Sequence, residues 1–221
     1  MSFKYRTRPA LVTGLLLACL ALAGLAWAED TPQQVRVTTN MGEFVIELRA
    51  DRAPLTVANF LRYVHEGHYT NTLIHRVVAN FVIQGGGHDA TTLKLKSVHD
   101  PVVNESGNGL QNKRGTVGLA RGQAPHSGDA QFYVNLVDNP DLDPVPTRWG
   151  YAVFGKVVSG MEVIERIGGT PTGSTPAFKS DTPLKPVIIE KVEVISPVAT
   201  AAPAPAASPT PQQDTTILSP K

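Results

Sequence analysis

Val35-Arg36-Val37-Thr38-Thr39-Asn40-Met41-Gly42-Glu43-Phe44-Val45-Ile46-Glu47-Leu48 holds two alternating runs around a polar break. Val35, Val37 and Thr39 alternate with Arg36 and Thr38, and Phe44, Ile46 and Leu48 alternate with Glu43, Val45 and Glu47. A period of two is that of a strand with one face buried, so the pattern predicts an antiparallel hairpin turning at Asn40-Met41-Gly42.

Further along, Pro54 stands where a first helical residue tolerates it. Val57, Phe60, Leu61 and Val64 recur at helical spacing, and Gly67 supplies a stop, which predicts an amphipathic helix over 54–66. Short apolar runs at 74–77, 81–84, 116–120, 132–136 and 151–157 are separated by Gly, Asn, Pro and Asp and read as strands joined by loops. Met161, Ile164 and Ile167 with Val163, between Ser159-Gly160 and Gly168-Gly169, predict a second short helix, and a last strand is expected over 187–194. Many antiparallel strands with only two helices favour a closed barrel, because closure removes the exposed edges that invite aggregation.

The two ends have a different character. Lys4, Arg6 and Arg8 precede an apolar run from Ala10 to Leu25, and Ala26-Trp27-Ala28 is followed by Glu29 and Asp30. That is the pattern of a secretory signal over residues 1–28, cut after Ala28, with 29–33 as a short linker and 34–196 as the folded domain. The apolar run is shorter than the ~20 residues that span a bilayer. Leu16-Leu17-Ala18-Cys19 loosely resembles a lipoprotein box, but a second leucine before Ala18 and the apolar stretch beyond Cys19 speak against lipidation. Cys19 is the only cysteine, so the mature chain is expected to hold neither thiol nor disulfide. Losing Lys4, Arg6 and Arg8 takes the formal charge from +1 to −2, which leaves no electrostatic case for nucleic acid. Residues 197–221 are rich in Pro, Ala, Ser and Thr and poor in large apolar side chains, the composition of a disordered tail.

Three further constellations have reactive residue types without a reactive arrangement. His65-Glu66-Gly67-His68 straddles a helix end and has no third ligand at a telling spacing, so no metal is expected. His126-Ser127-Gly128-Asp129 has the residue types of a hydrolase triad, but neighbours in one polar turn cannot converge as a relay. Gln84-Gly85-Gly86-Gly87 lacks the Lys-Ser/Thr of a phosphate loop and reads as a tight bend after a strand.

Four segments carry more information together than apart: Ile74-His75-Arg76-Val77-Val78-Ala79-Asn80-Phe81-Val82-Ile83-Gln84-Gly85-Gly86; Asn112-Lys113-Arg114-Gly115-Thr116-Val117-Gly118-Leu119-Ala120-Arg121; Ala130-Gln131-Phe132-Tyr133-Val134-Asn135; and Tyr151-Ala152-Val153-Phe154-Gly155-Lys156-Val157-Val158-Ser159-Gly160-Met161. In this order they closely resemble the cyclophilin family of peptidyl-prolyl cis-trans isomerases, and most nearly its exported bacterial members. The resemblance runs from about Gln34 to Ile195. It implies a closed eight-stranded antiparallel β-barrel capped by two α-helices, acting on X-Pro bonds of exported, periplasmic polypeptides as a monomer, with no cofactor, no nucleic acid and no stable membrane association.

By the same resemblance Arg76 is the catalytic arginine and Gln84 its hydrogen-bonding neighbour. Phe81, Val82, Tyr133, Leu142 and Tyr151 form the proline pocket, and Ala120, Arg121 and Gln131 line the groove before it. Ile74, Val82 and Tyr133 depart from the usual Phe, Met and Phe, yet keep bulk and apolar surface. Asp141 stands where cyclosporin-sensitive members carry Trp, which predicts weak binding of that drug. The alternative reading is a chaperone-like or scaffold module that holds proline-bearing segments with little turnover. Arg76 favours the enzyme, since a pure binder has no use for a donor that acts only in the transition state.

Overall fold

The computed structural model describes residues 32–195; the expected signal segment over 1–28 and the tail over 197–221 lie outside the described residues. In chain order the elements are β1 (Gln34–Thr39), β2 (Gly42–Leu48), α1 (Pro54–His65), β3 (Thr72–Leu73), β4 (Arg76–Val78), β5 (Val82–Gly85), β6 (Thr116–Leu119) and β7 (Phe132–Asn135). A single 3₁₀ turn, Pro140–Leu142, precedes β8 (Val153–Ser159), α2 (Met161–Gly168), β9 (Thr172–Gly173), β10 (Thr182–Pro183) and β11 (Ile188–Ile195).

β1 and β2 form the expected hairpin, with Thr39 paired to Gly42 across the turn and Val35, Val37, Phe44, Ile46 and Leu48 buried. Gly42 is needed there for its φ of 124°, which other residues rarely adopt. Nine strands make one antiparallel sheet in the order β3-β11-β1-β2-β8-β6-β7-β5-β4, and β9 and β10 pair separately. The sequence reading expected one strand over 74–77. Instead the chain pairs with β11 through β3, bends at Ile74-His75, and pairs with β5 through β4. The Ile74 N–H donates to the Val187 carbonyl at 2.9 Å, while Leu73 accepts from Gly86 at 3.1 Å and donates to His88 at 2.9 Å. Those bonds tie the two edges of the sheet together. β3 and β4 are thus two halves of one bent strand, which reconciles nine short strands with the eight expected.

The interior is filled by alternate strand residues and by the apolar faces of the helices. Phe60 of α1 sits among Tyr69, Phe132 and Phe154, with ring centroids 5.2, 5.7 and 5.1 Å away, and is 1% exposed. α1 has no side-chain cap of its own, since its N-cap is Ala53. The carboxylate of Glu105 substitutes from a distant loop, accepting from the backbone N–H of Leu55 and Thr56 and from the Thr56 hydroxyl. A negative group at the helix N-terminus satisfies orphan donors and complements the helix dipole.

β7 is the strand that joins core to site. All four of its residues are buried: Phe132 and Val134 point into the barrel core, whereas Tyr133 and Asn135 lie on the other face, under residues 139–151.

Candidate active site

One cross-strand row carries the expected catalytic residues. Arg76 of β4 pairs with Gln84 of β5, Gln84 pairs with Tyr133 of β7, and Tyr133 pairs with Gly118 of β6. Strand partners project to the same face of a sheet, so residues scattered over more than fifty positions meet on one outer wall of the barrel. The turn between β4 and β5 makes this possible, with Asn80 at φ 58°.

A cavity of about 200 Å³ opens on that wall. Arg76, Gln84, Phe81, Val82, Tyr133, Leu142, Tyr151, Ala120 and Arg121 all border it, so nine of the ten residues singled out from sequence converge. The tenth, Gln131, lies just behind: the Gln84 amide donates to its Oε1 at 3.2 Å. The Arg76 guanidinium donates to Gln84 Oε1 at 3.4 Å and stands 5.9 Å from the centre of the Phe81 ring. Tyr133 and Tyr151 meet edge to face at 6.1 Å. Arg121 covers the Tyr151 ring at 4.4 Å and donates to the carbonyls of Gly122, Trp149 and Gly150, which fixes it as one wall of the groove.

Two partners of this site escaped the sequence reading. Asp181, which no sequence motif marks, places a carboxylate 3.9 Å from Arg76 Nε. Its backbone carbonyl accepts from Val77 at 2.7 Å, which ties its loop to β4. The second is Asn112, whose Oδ1 accepts from the Tyr133 hydroxyl at 2.6 Å. Burial raises the Tyr133 phenol far above its usual range, so it acts as a neutral donor. Asp141 is exposed and does not border the cavity.

The other constellations are occupied with structural work. His126 Nδ1 accepts from the Asn104 N–H, and Ser127 Oγ donates to the Ala124 carbonyl. The glycine run does more than bend: a Cβ on Gly85 would lie 2.7 Å from the Leu73 carbonyl oxygen, and one on Gly87 would lie 2.5 Å from the Gln131 side chain.

Immediately before Arg76, the His75 ring turns to the opposite face and packs against His88 and Phe178, at centroid distances of 4.4 and 5.8 Å. Burial, aided by His88 and Arg76, pushes His75 down to about 4. Burial also lowers His68 and His88. An unfolded histidine titrates near 6.5, so between that pH and about 4 the unfolded chain binds protons that the folded chain refuses. Stability is therefore full above pH 6.5 and erodes as pH falls towards 4, by on the order of 2 kcal/mol for His75 after allowance for its partial exposure. Urea melts at pH 7, 5.5 and 4 should show this slope, and His75→Asn should flatten it. Equal slopes in both proteins would remove His75 as the cause.

Comparisons with known proteins agree with this geometry. Residues 34–194 match the family model described as cyclophilin type peptidyl-prolyl cis-trans isomerase. The chain is 48% identical over 159 residues to peptidyl-prolyl cis-trans isomerase B of Escherichia coli, covering 71% of this chain and 96% of that protein. It is 44% identical over 164 residues to a peptidyl-prolyl cis-trans isomerase of Streptomyces antibioticus, covering 73% and 98%. A crystal structure of a Cryptosporidium parvum cyclophilin type isomerase, obtained in the presence of the dipeptide Ala-Pro, superposes with a TM-score of 0.64 at 28% identity, covering 74% and 99%. With the family model matched from first strand to last and the four motifs gathered on one barrel wall, the chain belongs to the cyclophilin-type peptidyl-prolyl cis-trans isomerases.

Proposed function

We propose that this isomerase accelerates X-Pro rotation in exported proteins as they fold in the periplasm, using Arg76 as its catalytic residue and the adjoining cavity as its proline pocket. The observation that carries the site is the row Arg76, Gln84, Tyr133, which sets a permanent cation at a recess also bordered by Phe81, Val82, Leu142 and Tyr151. A related isomerase whose structure was determined in the presence of Ala-Pro supports a proline-bearing ligand for that recess.

An X-Pro amide resists rotation because the nitrogen lone pair is shared with the carbonyl, giving a barrier of ~20 kcal/mol. At the twisted state the sharing is lost and the nitrogen becomes an acceptor. Arg76 donates a hydrogen bond to it there and to neither planar ground state, which is the differential binding that accelerates a reaction. Gln84 contacts the guanidinium at Nη1 and Asp181 at Nε. Phe81, Val82, Tyr133, Leu142 and Tyr151 grip the ring, while Ala120, Arg121 and Gln131 seat the residues before it. Lowering the barrier by about 6 kcal/mol corresponds to ~10⁴-fold. No bond breaks, so the reaction calls for neither metal nor cofactor.

The location rests on the leader pattern in residues 1–28. Mass spectrometry of the chain recovered from fractionated cells should find an N-terminus at Glu29, without lipid, in the periplasmic fraction. Recovery from the cytosol with residues 1–28 retained would overturn the exported role and leave the isomerase chemistry standing.

A further inference from the structure

Beneath the cavity floor lies a set of polar side chains that the isomerase chemistry does not use directly. Asn112 and Asn135 are 1% and 0% exposed, and Asn139 is 7% exposed. Asn112 Oδ1 accepts from the Tyr133 hydroxyl at 2.6 Å and from Asn135 Nδ2 at 3.2 Å. Its own amide and its backbone N–H both donate to Asp143 Oδ1, at 2.9 and 2.8 Å. Asn139 donates to Asn135 Oδ1 at 2.7 Å and to the Phe81 carbonyl at 3.0 Å, and its backbone N–H reaches the Asn112 carbonyl at 2.7 Å. The Asn139 carbonyl in turn accepts from the Leu142 N–H, and the Leu142 carbonyl from the Tyr151 N–H. Tyr133 is therefore tied directly to Asn112, Phe81 and Leu142 through Asn139, and Tyr151 through Asn139 and Leu142.

We propose that Asn112 is a positioning residue of the proline pocket, holding the Tyr133 ring flat as its floor and locking the turn that carries Leu142 against it. This rests on the reading of the cavity as the proline pocket. The hydroxyl that distinguishes Tyr133 from a phenylalanine is the link, because it gives the ring a directional anchor that packing alone does not supply. A hydroxyl in a site only 4% exposed needs an acceptor. Without Asn112, the ring must swing towards the mouth of the cavity to reach water, and the swing fills the space the substrate ring would take. A floor that meets the planar and twisted amide alike contributes equally to both, so its loss appears in KM and leaves kcat in place. Arg76 stands two strands away in the row and keeps its own partners.

The test is a double-mutant cycle on the full chain, with kcat and KM for a proline peptide measured by NMR exchange spectroscopy and folding followed by circular dichroism. Asn112→Ala should raise KM about tenfold with kcat held within about twofold. Tyr133→Phe should raise KM only about threefold, since it removes the donor and strands nothing. The double variant should fall back to the Tyr133→Phe value, because removing both partners relieves the orphaned hydroxyl. A purely structural role would lower the melting temperature without this rescue of KM. Wild-type KM in Asn112→Ala, or a double variant no better than Asn112→Ala, overturns the proposal. If Asn112→Ala does not fold, Tyr133→Phe decides alone: a raised KM at unchanged melting temperature supports it and an unchanged KM overturns it. An unmutated chain that fails to accelerate the exchange would instead overturn the reading of the site itself.

Discussion

Arg76→Ala should lose on the order of 10³-fold in catalysed exchange while the barrel stays folded. Arg76 is half-exposed, and its side-chain partners are one hydrogen bond of 3.4 Å and one ion pair of 3.9 Å, so its removal leaves no buried group orphaned. The melting temperature should therefore hardly move. If Arg76 acts on the pyramidal nitrogen alone, kcat and kcat/KM fall together and peptide affinity changes much less. Arg76→Lys should also be poor. An ammonium is a point donor and cannot face Gln84, Asp181 and the proline nitrogen at once, as the planar guanidinium can. NMR exchange spectroscopy of a proline peptide measures the rate, and circular dichroism the fold. Turnover at the wild-type rate would make Arg76 a surface arginine and return the active-site assignment to the start. A wild type that binds the peptide without speeding its exchange would favour the holding module over the enzyme.

What could be read from the sequence was what local rules determine. The alternation in 35–48 reports burial on one face, and the face it marks is the face that is buried. The helix expected over 54–66 forms at Pro54–His65 because proline at its start and Gly67 beyond its end punctuate an apolar stripe. The pairing of Arg76 with Gln84 comes from the cyclophilin resemblance alone, because 74–77 and 81–84 read by themselves only as two short apolar runs. The break at Ile74-His75 could not be read, because it arises where the chain changes partner from β11 to β5, a decision made by strands more than a hundred residues apart. Glu105, Asp181 and Asn112 were missed for the same reason. Each is an unremarkable polar residue in a loop, and each acquires its role from a group brought to it by the fold: the N-terminus of α1, the Arg76 guanidinium, the Tyr133 hydroxyl. The substitution of Tyr133 for the usual phenylalanine was visible, but only its bulk was counted. Its hydroxyl found a meaning once Asn112 stood opposite it.

That hydroxyl also explains why position 118 is glycine, and the consequence can be measured. Tyr133 leans across its strand partner Gly118, so a Cβ added there would lie 2.2 Å from the tyrosine oxygen, 2.3 Å from Cζ and 2.7 Å from Cε1. Non-bonded heavy atoms settle at about 3.5–4.0 Å, so the ring must retreat by more than an ångström. It cannot retreat towards Asn112, which is itself fully buried and holds Asp143. The open direction is the cavity. Gly118→Ala should therefore cost about 10²-fold in kcat/KM, since a misplacement of 1 Å at a binding surface can cost that much, together with about 1–3 kcal/mol of stability from overpacking. The backbone at 118 is ordinary strand with no positive φ, so alanine does not strain the chain, and the damage is confined to the floor. Peptide exchange kinetics and a thermal melt on the same preparation separate the two effects. An alanine variant with wild-type kcat/KM would mean that the ring has a second resting place away from the substrate, and that the floor of the pocket is set by something other than the pairing of Tyr133 with Asn112.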